Sequence, residues 1–151
     1  MPAPSRYEVG VAYIRFQSAE PNPDGRHPGV FGLINGLSRA GKLAPDQEEF
    51  RRVNNAWYEA NFTNPSTIDP SVYDHALNPG ATAWFKDSAQ LYIDRIEGYL
   101  DVLRAHGIQC DRLVSRHPPG IVIYEDEHQI VVVAPHASRR WSSATPDENP
   151  P

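Results

Sequence analysis

The sequence predicts a single α+β domain: a mostly antiparallel sheet of about five strands with three helices, in the order β-α-α-β-α-β-β-β. Three observations carry this. Several segments of strand length are dominated by β-branched and aromatic residues. Others repeat apolar residues every three or four positions, as a half-buried helix must. The chain has 151 residues, 40% of them apolar and 22% charged, which suits one globular core and excludes a disordered chain.

The body is expected over residues 7–136. It lies between residues 1–6 and a Pro-rich tail, 137–151, both read as flexible. Tyr7–Phe16 reads as the first strand, with Tyr7, Val9, Val11 and Tyr13 on one face. A Pro/Gly/Asn loop follows, then a short helix over Gly29–Ala40 stopped by Gly41. Gly32 and Gly36 share a face of that helix, which predicts close approach of another backbone. Pro45 and the acids behind it open a second helix, with Phe50, Val53, Trp57 and Ala60 as its buried stripe. Trp57, Tyr58 and Phe62 are expected to pack in the core rather than to form a ligand platform.

Thr63–Gly80 shows no period and reads as a long loop, functional or mobile. Ala81–Lys86 is a short strand. The long helix after it is capped by Asp87 or Ser88 and ended by Gly107. Ala89, Tyr92/Ile93, Ile96, Tyr99/Leu100 and Leu103 face inward, and Asp94, Arg95, Glu97, Asp101 and Arg104 face water. Gln109–Ser115, Ile121–Tyr124 and Gln129–Ala134 are the remaining strands, the last two forming a hairpin. Both hairpin strands are apolar on both faces, which predicts interior strands covered on each side. With three helices to cover the sheet, a second copy on the open face, and so a homodimer, is expected.

Fourteen basic against nineteen acidic residues give a net charge of −5, which argues against generic nucleic-acid binding. The longest apolar run, Ile130–Pro135, is too short to cross a bilayer, and Met1–Arg6 carries no apolar leader. A lone cysteine, Cys110, excludes an internal disulfide and points to a reducing, cytoplasmic setting.

The densest polar group is Glu125-Asp126-Glu127-His128-Gln129, held between two buried strands. Its plainest reading is a solvated turn whose charges discourage aggregation of the flanking strands. As a site, it offers Glu125 and Glu127, which point the same way in an extended segment and suit general-base work. Arg15 and Lys86 are the candidate cations for an anionic ligand, and Trp84, Tyr124 and His128 the neighbouring binding groups. No metal centre is expected, since no paired Cys or His-x-x-x-His motif is present. Cys110 has no neighbouring base by spacing.

Pro79-Gly80-Ala-Thr-Ala-Trp84-Phe85-Lys86 and Pro119-Gly120-Ile-Val-Ile-Tyr124-Glu125-Asp126-Glu127-His128-Gln129 resemble a small bacterial protein family without an assigned function. The likeness implies one domain with these segments together, and no activity. A second likeness is to ADP-ribosyltransferases, which carry an early Arg or His, a middle Ser/Thr segment and a late Glu-x-Glu. Arg15, Thr82 and Glu125-Asp126-Glu127 occur in that order, but no Ser-Thr-Ser segment exists and the helices are placed differently. Two functions follow. One is a non-catalytic binding or accessory module presenting the hairpin acids and aromatics to a protein or small-molecule partner. The other is a small transferase or hydrolase with Glu125 or Glu127 as base and Arg15 or Lys86 holding an anionic substrate. No cofactor is called for; NAD enters only under the second.

Overall fold

The computed structural model describes residues 11–135. The expected flexible ends, and residues 7–10 of the first strand, lie outside the described residues. Within them the chain is a single α+β domain with ten elements. These are β1 (Tyr13–Ser18), α1 (Val30–Arg39), α2 (Pro45–Asn61), α3 (Pro65–Ile68), β2 (Thr82–Lys86), α4 (Gln90–Asp94), α5 (Ile96–Ala105), β3 (Cys110–Ser115), β4 (Ile121–Glu125) and β5 (Gln129–Val133). The three expected helices are α1, α2 and the interrupted α4–α5; α3 is a single turn. The strands form one sheet in the order β3-β1-β2-β5-β4. Its contacts gather into two compact units, each discontinuous in sequence. One takes Asn64–Lys86 with the described parts of Met1–Tyr13 and Ser115–Pro151; the other takes Ile14–Thr63 and Asp87–Val114.

In the first unit β5 is paired on both sides. It runs antiparallel to β2, with Trp84 opposite Ile130, and antiparallel to β4, with Ile121 opposite Val133. All five of its residues are buried, as its two-sided apolarity predicts. Ile130 and Val132 close on Tyr13, with Val11 and Trp84 packed against them. The same expectation fails for β4. It ends the strand order, and Ile121 and Val122 are 44% and 40% exposed. A bulge between Val122 and Tyr124 breaks its register against β5, which twists an edge strand and blunts it. Gly120 lets the two strands meet, because a Cβ there would run into the Val133 carbonyl.

Thr63–Gly80, read as loop, contains α3 and is pinned throughout. Asn64 Oδ1 accepts from Ser66 N, Asp69 Oδ1 from Ser71 N and Asp74 Oδ1 from Ala76 N. Val72 is 1% exposed, and Asn78 Nδ2 donates to Ser71 O.

β1 runs two residues past the predicted Phe16, to Ser18, because the returning loop pairs with its end: Ser18 N donates to Pro28 O, and Gln17 bridges Gly29. α1 ends at Gly41, whose φ of 70° is the left-handed stop expected of it. Gly32 and Gly36 do not mark a close approach; a Cβ at Gly32 would meet nothing within 4 Å. The close approach lies at Gly98 of α5, where a Cβ would be 2.6 Å from Phe50 Cζ.

α2 opens at Pro45, with Gln47 Oε1 accepting from Ala44 N. Its inward face differs from the apolar stripe, since Val53 is 46% exposed and Ala60 is exposed. Asparagines occupy the contact instead. Asn55 Nδ2 donates to Asn35 Oδ1 on α1 and Tyr99 Oη donates to Asn55 Oδ1, so a polar network ties α2 to both neighbours. Tyr58 packs edge-on against Phe31, Trp57 and Phe62; it is buried as the core reading predicts, whereas Trp57 and Phe62 are half-buried.

Ala89, Ile93, Ile96, Tyr99 and Leu103 are all buried, as the stripe of the long helix predicts. The helix is nevertheless broken at Arg95. Tyr58 Oη donates to Tyr92 O at 2.5 Å, a carbonyl that an unbroken helix would offer to Ile96 N. A side chain inserted into the ladder in this way interrupts a helix. Arg95 consequently leaves its expected solvent face. Its guanidinium lies 3.9 Å from the Trp57 ring centroid and donates to Asn54 Oδ1. Its buried Nε has no hydrogen-bond partner.

Candidate functional site

The hairpin between β4 and β5 carries the acids singled out in sequence, and each acid has a different fate. Glu125 closes β4 and Lys86 closes β2, so the two flank the start of β5. Lys86 N donates to His128 O, which fixes the backbone, and Lys86 Nζ then reaches Glu125 Oε2 at 2.6 Å. The lysine side chain is 15% exposed and the glutamate 45%. The pair is partly withdrawn from water, so each charge is the other's main compensation.

Asp126 is the organiser of the turn. Its Oδ1 accepts from the backbone N–H of His128 at 2.9 Å and of Gln129 at 3.1 Å. Its Oδ2 accepts from Tyr124 Oη at 2.7 Å and from Gln129 Nε2 at 3.0 Å. Burial pushes this carboxyl up, but the donors from His128, Tyr124 and Gln129 outweigh it and hold it below the usual aspartate range. The reciprocal effect falls on Tyr124. Burial and the acceptor at Asp126 push its phenol up to about 12, with Tyr73 of the pinned loop adding to the effect.

Glu127 sits on a bend rather than in an extended segment, so it does not continue the strand face that Glu125 ends. Its side chain is 87% exposed and its Oε1 lies 3.8 Å from His128 Nε2. Lys86, Tyr124, Glu125, Glu127 and His128 are thus gathered around one turn. Trp84 lies on the same unit but packs into the cluster around Ile130. Arg15 belongs to the other unit. Its Nε donates to Gln17 Oε1 at 2.8 Å, its Nη2 donates to His27 O, and its guanidinium lies over Gly29.

The functional sequence reading missed Asp126 and Gln129, the latter 2% exposed. A signal was present, because an aspartate between two strands is well suited to accept from the amides two and three residues on. Cys110 lines an open cleft of about 390 Å³ with Leu100, Arg104, Gly107, Ile108 and Gln109. Burial, with Asp111 adding to it, raises its thiol pKa against the opposite pull of Arg104, which is paired with Glu97 and Asp101. Among the described residues no group of three or more His, Cys, Asp or Glu side chains is placed to hold a metal ion. No helix among them is long and apolar enough to cross a membrane.

Compared with protein-family models, curated proteins and solved structures, the chain matches none of them.

Proposed function

We propose that this chain is a small binding or accessory module that presents the Tyr124–Gln129 hairpin to a protein or small-molecule partner. The observation that supports it is the Lys86–Glu125 pair. The cation that catalysis would assign to an anionic substrate is already neutralised by the carboxylate that would act as base. Asp126 is likewise committed to its four donors. The side chain that stands outward is Glu127, beside the half-buried imidazole of His128, on a turn held rigid from beneath. That surface suits recognition of a partner's cation or donor group better than proton transfer.

The proposal includes a cytoplasmic setting, on the single unpaired Cys110. It also includes membership of the small bacterial family that the Trp84-Phe85-Lys86 and hairpin segments resemble.

Two measurements test the function together. Thermal shift against NAD, nucleotides and divalent cations is expected to give no stabilisation, whereas a true ligand at a hundredfold its Kd adds about 2.7 kcal/mol. The immobilised chain is expected to retain a partner from cell extract that the Glu127→Gln/His128→Ala variant loses. A shift by NAD or a nucleotide that Glu125→Gln abolishes would overturn the module. It would install the transferase or hydrolase in its place, with Lys86 released to substrate.

A further inference from the structure

Local preference and packing conflict most sharply at the break between α4 and α5. Residues 90–97, Gln-Leu-Tyr-Ile-Asp-Arg-Ile-Glu, hold neither proline nor glycine, so nothing local ends a helix there. Ala89, Ile93, Ile96, Tyr99 and Leu103 are buried on either side of the break, at the spacing of one continuous helix. A contact from another element opposes this: the Tyr58 hydroxyl of α2 competes for the Tyr92 carbonyl that Ile96 N would use. We infer that α4 and α5 form a two-state hinge, in which the Tyr58 hydroxyl selects the broken form over a continuous helix across residues 90–105.

Each state satisfies groups that the other leaves. In the broken form two tyrosines cap each other's helices. Tyr58 Oη donates to Tyr92 O, and Tyr92 Oη donates to Asn61 O, the last carbonyl of α2. Arg95 is turned inward with the break, onto the Trp57 ring and Asn54. It makes no ion pair among the described residues, and its acidic neighbours are engaged elsewhere: Asp94 Oδ1 accepts from Gln90 Nε2, and Glu97 pairs with Arg104. In the continuous form Ile96 N takes Tyr92 O as the next rung of the ladder, and Arg95 turns to the polar side of the helix with Asp94 and Glu97. The orphaned Arg95 Nε is thus a cost of the broken state, and the lost Tyr58 bond a cost of the continuous one, which brings the two close in free energy. All of these residues lie in one unit. Whatever draws the Arg95 guanidinium off Trp57 favours the continuous helix, and whatever holds α4 on α2 favours the break.

Nuclear magnetic resonance on the full chain tests this, through the backbone shifts of Arg95 and Ile96 and the hydrogen exchange of the Ile96 amide. Tyr58→Phe keeps the ring and removes only the hydroxyl. It should give helical shifts at both residues and slow Ile96 exchange about tenfold or more. Tyr92→Phe removes a bond of the same kind between the same two helices, leaves the Tyr92 carbonyl in place, and should keep the break. The wild-type chain supplies a measurement that needs no variant to fold. Relaxation dispersion and saturation transfer at Arg95 and Ile96 should find a minor state of at least about 1%, with helical shifts. Non-helical shifts at Arg95 in a folded Tyr58→Phe chain would overturn the hinge. So would closure of the break in both variants, which marks general loosening of α4, or a wild-type chain with no such minor state.

Discussion

β4 and β5 are the two arms of one hairpin and differ little in composition, yet one is fully buried and the other is an edge. β5 has a strand on each side and contributes Ile130 and Val132 to the cluster around Tyr13. Among the described residues β4 has a strand on one side, with a bulge at its middle and two exposed aliphatic residues at its start. The difference teaches that apolar character reports a strand's fitness for burial, while the number of neighbouring strands decides how much is used.

The comparison breaks most visibly under matched truncations. Ile130→Ala on β5 should cost about 2–5 kcal/mol in urea denaturation, through lost burial and the cavity left behind. Ile121→Ala, on the exposed arm, should cost less than about 1 kcal/mol. Equal losses would mean that β4 is covered in solution. Gly120→Ala comes next, at about 1–3 kcal/mol, because the new methyl meets the Val133 carbonyl and the two arms must separate.

Asp126→Ala removes the acceptor of four hydrogen bonds, two of them from the buried Gln129, for about 1–3 kcal/mol. Its pH dependence has a definite sign. The folded-state pKa of Asp126 is lowered, so its stabilisation is complete above the ordinary aspartate range and is lost as pH falls through that lowered value. The wild-type chain should therefore lose stability on acidification over a window where Asp126→Ala loses less. Identical acid profiles would deny the carboxylate this role.

The smallest effects separate the two glutamates. Glu125→Gln leaves Lys86 with its charge uncompensated, at about 1 kcal/mol after allowance for solvent at the exposed carboxylate. Glu127→Gln should stay within about 0.5 kcal/mol.

Legibility from sequence followed the range of the interaction that decides each feature. The buried stripe Ala89–Leu103 and the burial of β5 depend on local periodicity and were readable. The break at Arg95 was not, since its cause, Tyr58, stands 34 residues from the carbonyl it takes at Tyr92. The inward face of α2 was misread because its contact is made by Asn54 and Asn55, residue types that periodicity counts as solvent-facing. Around the candidate site, the clustering of Lys86 with the hairpin acids was half visible: both cation and carboxylate were named, but their pairing across β5 needs the sheet order. The Asp126 turn is legible in the sequence, since its acceptor stands two and three residues before the amides it takes.

Each unit draws on separate stretches of chain, and this governs how the molecule is assembled during synthesis. β1, α1 and α2 emerge first, but α4, α5 and β3, which complete their unit, follow only after β2, and that unit closes at Val114. β2 itself, made by Lys86, waits for the residues of β5 before it can form the pairing from Thr82 to Phe85. Neither half is finished before almost the whole body has left the ribosome, so folding cannot proceed as one completed module after another. No contiguous fragment preserves either unit, and dissection of this protein is better done by substitution than by truncation.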